Sequence, residues 1–593
     1  MLVRELRQVA SSSVHLVIHT KPTAAHTPVK FTREQQAIFK FVREGEGHGI
    51  IDAVAGAGKT TTIMECARFA AEPARVLFCA FNNSIAKEIG RRFKSRGMPA
   101  VTVKTIHALG FQILRENSDY GNRLQLNEHK YLTLFKSEAM QQKLQPDLRA
   151  LIELNGLNLG NTDDSRQTFA IKNLLYRVQK RLLNINQKHR AVLNGPTYEA
   201  FEDMVRHFGI FTHTEENSKI FHDELELYHR MHRLLLKEGT EMAARSYIID
   251  FTDMIYLPFV WQLNSSVKYD WIFIDECQDL SKAQFAVAAK YGRQGSRVLA
   301  VGDPRQSIYG FTGADVESFA RVKRMTRATQ LPLTTCFRCP QRVIELAREI
   351  REDIVGAKRA KGKVTEIGIE DVTKVARPGD LIISRFRAPL LILVFEFIDR
   401  NVKVHVAPDE AAEFIGELKV LFKQGERQAG IKARYRDFNT LKQQVFSRNM
   451  WVIRQNAQKI AKATDREVYL QVETEYLEKR LEFLHKKYEL WQKDCRSVSS
   501  ILERIKAFVS AKENAIRLST IHRAKGLEEE RVFIIDYDQL PVSRQGQKDW
   551  EKEQETNLKY VAITRAMKTL FLVESADLEE MEEEGSLFDS LPF

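Results

Sequence analysis

The residues best suited to chemistry lie in two stretches, "DAVAGAGKTTT" (Asp52 to Thr62) and "FIDECQD" (Phe273 to Asp279). In the first, Gly56 and Gly58 carry no Cβ, so backbone N–H groups can approach an anion and the chain can adopt positive φ. The run Ala53, Val54, Ala55, Gly56, Ala57, Gly58, Lys59, Thr60 and Thr61 then reads as a phosphate cradle. Lys59 would reach the β and γ phosphates, and Thr60 would offer a hydroxyl to Mg²⁺. The strict signature fails only at Ala53, where glycine is usual; at a strand's end with negative φ an alanine costs little. Asp275, ending an apolar run, suits Mg²⁺ held through water, and Glu276 can orient and deprotonate an attacking water. Nucleotide hydrolysis is the chemistry implied. The guanine-reading N/TKxD element is missing, which favours ATP.

Such a loop needs a strand before it and a helix after it. "HGIIDAV" supplies the strand, "TTTIMECARFAAE" the helix and "RVLFCAF" the next strand, a βαβ opening that implies a parallel sheet. "WIFID" and "RVLAVGD" join the same sheet by pattern. A second α/β set is expected from near Gln330, with "DLIISRF", "IRLSTIH" and "RVFIIDY". Two mostly helical segments interrupt these sets. In the later one Leu477, Leu481, Leu484, Tyr488 and Trp491 recur at heptad-like spacing, the stripe of a helical hairpin's core.

The bulk composition agrees with a multidomain protein. The 593 residues exceed what one core can bury, so three or four domains are expected. A net charge of +12 favours a polyanionic partner, nucleic acid before an anionic membrane surface. No apolar run approaches the ~20 residues of a membrane span. Six scattered cysteines fit a reducing compartment, and the lone Cys336–Cys339 CxxC lacks the second pair a zinc site needs. The basic N-terminal stretch, 1–28, reads as an extension, with a transit peptide as the alternative. Basic stretches such as "RRFKSRG" could follow phosphates or be solvated faces.

Nine stretches occur in a telling order: "FTREQQAI", "AVAGAGKTT", "AFNNSIAKEI", "KTIHALG", "IDECQDLSKAQ", "VGDPRQSIYGFTGA", "LTTCFRCP", "LSTIHRAKGLE" and "NLKYVAITRA". Together they resemble the motif set of superfamily 1 DNA helicases of the UvrD/Rep/PcrA type, across Phe31 to Ala566. The wording of "AFNNSIAKEI", "KTIHALG" and "NLKYVAITRA" leans towards the F-box DNA helicase branch, though no F-box-like segment is evident. The resemblance implies an α/β fold with two RecA-like parallel-sheet P-loop NTPase cores, each carrying a mainly helical insertion. The expected division is a first core at 1–110 and 247–328 with its insertion at 111–246. A second core follows at 329–414 and 512–574 with its insertion at 415–511, then an acidic tail at 575–593.

The resemblance also implies roles. Gln35 matches the glutamine that reads adenine, Phe337 takes the place of an adenine-stacking tyrosine, and Glu528 matches a glutamate at the ribose. Gln306 would sense the γ-phosphate, and Arg338 and Arg565 would reach it from the second core. For single-stranded DNA the implied platforms are Phe81, Tyr309 and Phe311, the last replacing a tryptophan common in the family. Asn82, His107 and His522 lie in motifs that touch the DNA backbone or couple it to the nucleotide. The implied activity is ATP- and Mg²⁺-dependent unwinding of DNA by 3′-to-5′ translocation, in repair, recombination or replication. The alternatives are a translocase that mainly strips proteins from DNA and a binding module with an inactive ATP site. A cytoplasmic protein is expected, or a nuclear or mitochondrial one in a eukaryote. The tail, with Leu587, Phe588, Leu591 and Phe593 after an acidic run, reads first as a frayed, solvated end; the alternative is a segment that recruits a replication or repair partner such as a single-strand-binding protein or a sliding clamp.

Overall fold

The computed structural model describes residues 30–574 apart from internal stretches, the longest at 159–164, 311–316, 420–437, 458–469 and 492–497. The N-terminal extension, Phe311, Leu484, Tyr488 and the acidic tail lie outside the described residues.

Helix α1 (Arg33–Glu44) begins at a capping box: the Thr32 hydroxyl accepts from the Gln35 N–H, and the Gln35 side chain accepts from the Thr32 N–H. Strand β1 (Gly49–Ala53) follows, and helix α2 (Lys59–Phe69) starts directly from Gly58, whose φ of 76° only glycine adopts freely. Further strands are β2 (Val76–Ala80), β3 (Thr102–Thr105), β4 (Tyr269–Ile274), β5 (Gly292–Gly302) and β6 (Thr329–Leu333). They form one parallel sheet in the order β3-β2-β4-β5-β1-β6. By sequence Thr329–Leu333 opens the second core; in the structure it pairs with β1, Ala53 beside Leu333. An apolar strand's composition says that it is buried and not which sheet buries it.

The second sheet holds β7 (Lys363–Gly368), β8 (Leu381–Ser384), β9 (Val404–His405), β10 (Ile516–Thr520), β11 (Glu529–Ile535) and β12 (Ala566–Glu574). Its order is β7-β12-β11-β8-β10-β9, again parallel throughout. One apolar cluster includes Ile51, Phe78 and Leu299 from the first sheet and Ile383, Val532 and Leu570 from the second, so the two lobes share part of a core.

Helices α3 (Asn83–Ser95) and α4 (Ile106–Glu116) flank the first sheet. The first helical segment includes α5 (Ser165–Val192) and α6 (Phe221–Ser246), packed around Leu182, Leu235 and Tyr228. Arg190, near the end of α5, makes paired hydrogen bonds to Asp250 at 2.7 and 2.9 Å, just before α7 (Phe251–Val260). In the second segment Leu477, Leu481 and Trp491 are buried with Ile505, as a hairpin-core stripe requires. Helix α8 (Asp549–Ile563) precedes β12 and faces the first lobe. Among the described residues no helix is long and apolar enough to cross a membrane.

Candidate nucleotide site and nucleic-acid face

Ala53 ends β1, fully buried, and is not among the residues with positive φ. The Val54 N–H donates to the Leu333 carbonyl at 3.0 Å, which anchors the loop to β6. Gly56 and Gly58 have φ of 69° and 76°. At Gly56 a Cβ would lie 2.6 Å from the Arg338 Cβ, so the loop is pressed against a segment nearly three hundred residues downstream.

Asp275 and Glu276 follow the end of β4. The Thr60 hydroxyl donates to Asp275 Oδ2 at 2.9 Å, and Lys59 Nζ lies 3.5 Å from Glu276 Oε1. Burial, then the neighbouring Glu276 charge, pushes the Asp275 carboxyl up. Burial acts the same way on Glu276, but the Lys59 and Lys525 charges outweigh it and hold that carboxyl down. A buried carboxyl that resists ionising, bonded to a hydroxyl, is the environment a hard cation relieves. Thr60 and Asp275 therefore fit Mg²⁺. Glu276 itself has φ of 52°, a left-handed conformation unusual for a glutamate and stored here beside the loop.

A relay runs outward from Glu276. Gln278 Nε2 donates to Glu276 Oε2 at 2.6 Å, and Gln278 Oε1 accepts from the Asp303 N–H at 3.1 Å. Gln306 Nε2 in turn donates to Asp303 Oδ2 at 2.8 Å. Lys525, from the second lobe, pairs with Asp279 and donates to the Gln306 carbonyl at 2.6 Å. Sequence reasoning misses Gln278, Asp279, Asp303 and Lys525 as site residues, although their letters stand inside "DECQD", "VGDPRQ" and "HRAKG".

Both arginines belong to the same neighbourhood. Arg338 NH1 donates to the Thr564 carbonyl at 3.2 Å, and its Nε pairs with Glu528. Arg565 is buried, and among the described residues its guanidinium donates to neutral oxygens: the Val561 and Leu527 carbonyls at 2.8 and 3.1 Å and the Thr564 hydroxyl at 3.1 Å. Burial, then the Arg338 charge, lowers it to about 9, which leaves it cationic at neutral pH.

The adenine side is less ready. Phe337 is exposed, as a stacking ring should be. Gln35 is turned inward: its carboxamide serves the α1 capping box and donates to the Thr62 hydroxyl at 3.0 Å, so the edge expected to read adenine is committed within the protein. Glu528, expected at a ribose, is held by Arg338.

Phe81 and Tyr309 come together at the carboxyl ends of the strands, rings stacked with centroids 6.1 Å apart and planes 15° from parallel. The Tyr309 hydroxyl donates to the His522 carbonyl at 3.1 Å, which joins the lobes at this face. His522 is lowered to about 4 by burial and then by Arg385, and burial also lowers His107. Both are neutral imidazoles at physiological pH. Asn82 Oδ1 caps α3 by accepting from the Ile85 N–H at 2.9 Å. Within "RRFKSRG", Arg92 pairs with the exposed Glu88 and Arg96 with the buried Glu65.

Residues 32–326 match the model of the UvrD/Rep helicase N-terminal domain, and residues 515–573 that of the UvrD-like helicase C-terminal domain. The chain is 23% identical to the ATP-dependent DNA helicase PcrA of Bacillus subtilis, over 90% of this chain and 81% of that protein. It is 25% identical to F-box DNA helicase 1 of Gallus gallus, over 93% of this chain but 49% of the relative's length. A probable DNA helicase II homolog of Mycoplasma capricolum is 23% identical over 50% of this chain and 38% of its own length. The chain thus spans half or less of two of these three relatives. The two matched domains and the paired parallel sheets agree: the chain belongs to the UvrD/Rep family of helicases.

Proposed function

We propose that this protein is an ATP-driven motor that moves 3′ to 5′ along single-stranded DNA and separates the duplex ahead of it. The observation that carries the reading is Arg565, a buried cation whose hydrogen bonds among the described residues go to neutral oxygens, in the field of Arg338, which itself packs against Gly56 of the phosphate loop. Cationic groups fixed in advance of the reaction stabilise charge as it develops on a transferring phosphoryl group, and an arginine finger is worth ~10³–10⁵ in rate.

In this reading Gly56 to Thr61 hold the phosphates, and Lys59 sits over the β and γ positions. Thr60 and Asp275 would hold Mg²⁺, which would neutralise phosphate charge. Glu276, kept ionised by two lysines, accepts the proton of the attacking water. Gln306 reports on the γ-phosphate through Asp303 and Gln278. Arg338 and Arg565 arrive from the second lobe, so each turnover is tied to lobe closure and the strand beneath Phe81 and Tyr309 is drawn along. Two features favour a strand of nucleic acid as the track: the stacked aromatic pair and the +12 charge.

The test is strand displacement on 3′-tailed and 5′-tailed duplexes of DNA and of RNA, with Lys59→Ala as control. The reading expects displacement of 3′-tailed DNA alone, with loss in Lys59→Ala. Removal of a blocking protein without displacement would make it a stripping translocase. Nucleic-acid binding without ATP hydrolysis in the wild type would make it a binding module.

A further inference from the structure

Helix α8 grips the first lobe with three side chains spaced three residues apart. Gln554 Oε1 accepts from the Gly310 N–H at 2.9 Å, and Asn557 Nδ2 donates to the Ser307 carbonyl at 3.0 Å. Tyr560, one step further, accepts the Ala55 N–H at 3.1 Å across 505 residues of sequence. Such spacing keeps the three on one side of a helix. The first two hold the loop that carries Tyr309; the third holds the phosphate loop itself. Arg565 lies just beyond the helix, two residues past its last residue, Ile563.

Tyr560 has no part in the chemistry assigned above. It is fully buried in the cluster shared by the lobes, so its ring accounts for packing. The hydroxyl is a separate matter, because it meets a backbone donor in the arm of the loop just before Gly56. Buried N–H groups left without an acceptor are costly, so the arm keeps this shape only while the hydroxyl is present. Resting on the ATPase reading, we propose that Tyr560 is a positioning residue for the phosphate loop. Its hydroxyl makes the loop's shape conditional on where α8 lies, and α8 is the helix that Gln554 and Asn557 tie to the nucleic-acid loop. One rigid helix thus links the strand's position, the phosphate cradle and the approach of Arg565.

The experiment is Tyr560→Phe in the full chain, which removes the oxygen and keeps the ring. Amide hydrogen exchange in the nucleotide-free protein should rise at 53–58 and stay unchanged elsewhere in the first sheet. DNA-stimulated kcat should fall about ten- to a hundredfold, with KM for ATP little changed, as expected when a catalytic group is misplaced while substrate binding is preserved. Unchanged exchange at 53–58, or a rise spread over both lobes, overturns the proposal; so does an unchanged kcat. Tyr560→Met, apolar and of similar reach, carries the same test should the phenylalanine variant not fold. Wild-type protein that hydrolyses no ATP would overturn the ATPase reading, whereas the exchange result would still decide whether Tyr560 shapes the loop.

Discussion

The cleft and the aromatic face of this molecule are built on opposite principles. In the cleft Thr60, Glu276, Asp303, Gln306 and Arg565 each have a named hydrogen-bond partner. On the face Phe81 is 39% exposed and its ring stacks on Tyr309. Phosphoryl transfer rewards groups fixed before the reaction begins. A polymer that must slide rewards surfaces that accept any base and let go. Both regions lie at the same sheet end, because β1 runs into the glycine loop and β2 leads straight to Phe81.

The comparison should break most sharply at Arg565. Arg565→Ala is expected to lower the kcat of ATP hydrolysis by ~10³-fold or more while oligonucleotide affinity stays within about twofold. Steady-state ATPase and fluorescence anisotropy of a labelled strand measure the two quantities; equal losses in both would erase the distinction between cleft and face. Phe81→Ala is the mirror image. It should weaken single-strand binding by about 1–3 kcal/mol and leave kcat at saturating DNA nearly unchanged. A large fall in kcat there would mean that the ring acts on the nucleotide site as well. The smallest effect is expected at Arg305, whose guanidinium meets Glu553 of α8 at 3.1 Å with both side chains more than a third exposed. Arg305→Ala should shift chemical-denaturation stability by under about 1 kcal/mol. A larger loss would show that surface charge, not the buried contacts of α8, joins the lobes.

Much of this is legible in the letters. "AVAGAGKTT" implies a strand, a loop with positive φ and a helix, because glycine spacing and apolar runs report local geometry directly. The convergence of Thr60 with Asp275 follows from the chemistry each carries. Other features depend on who meets whom. Thr329–Leu333 reads as a buried strand in either lobe, and only the register Ala53 to Leu333 assigns it. Gln35 has the letter of an adenine reader, yet its inward turn is set by Thr62 on a different helix. Lys525 and Tyr560 stand inside recognisable motifs, but a motif names a segment without saying which atom of the other lobe it touches.

The place of β6 has a practical edge. The first matched domain stops at residue 326, just short of Thr329. A fragment cut there would bare one side of β1 and strand the Val54 N–H, which is satisfied by Leu333. It would also lack the hydroxyl that meets Ala55. Half of the protein would then carry the full phosphate-loop sequence without the scaffold that gives it shape, and a failed nucleotide-binding assay on it would say nothing about the whole.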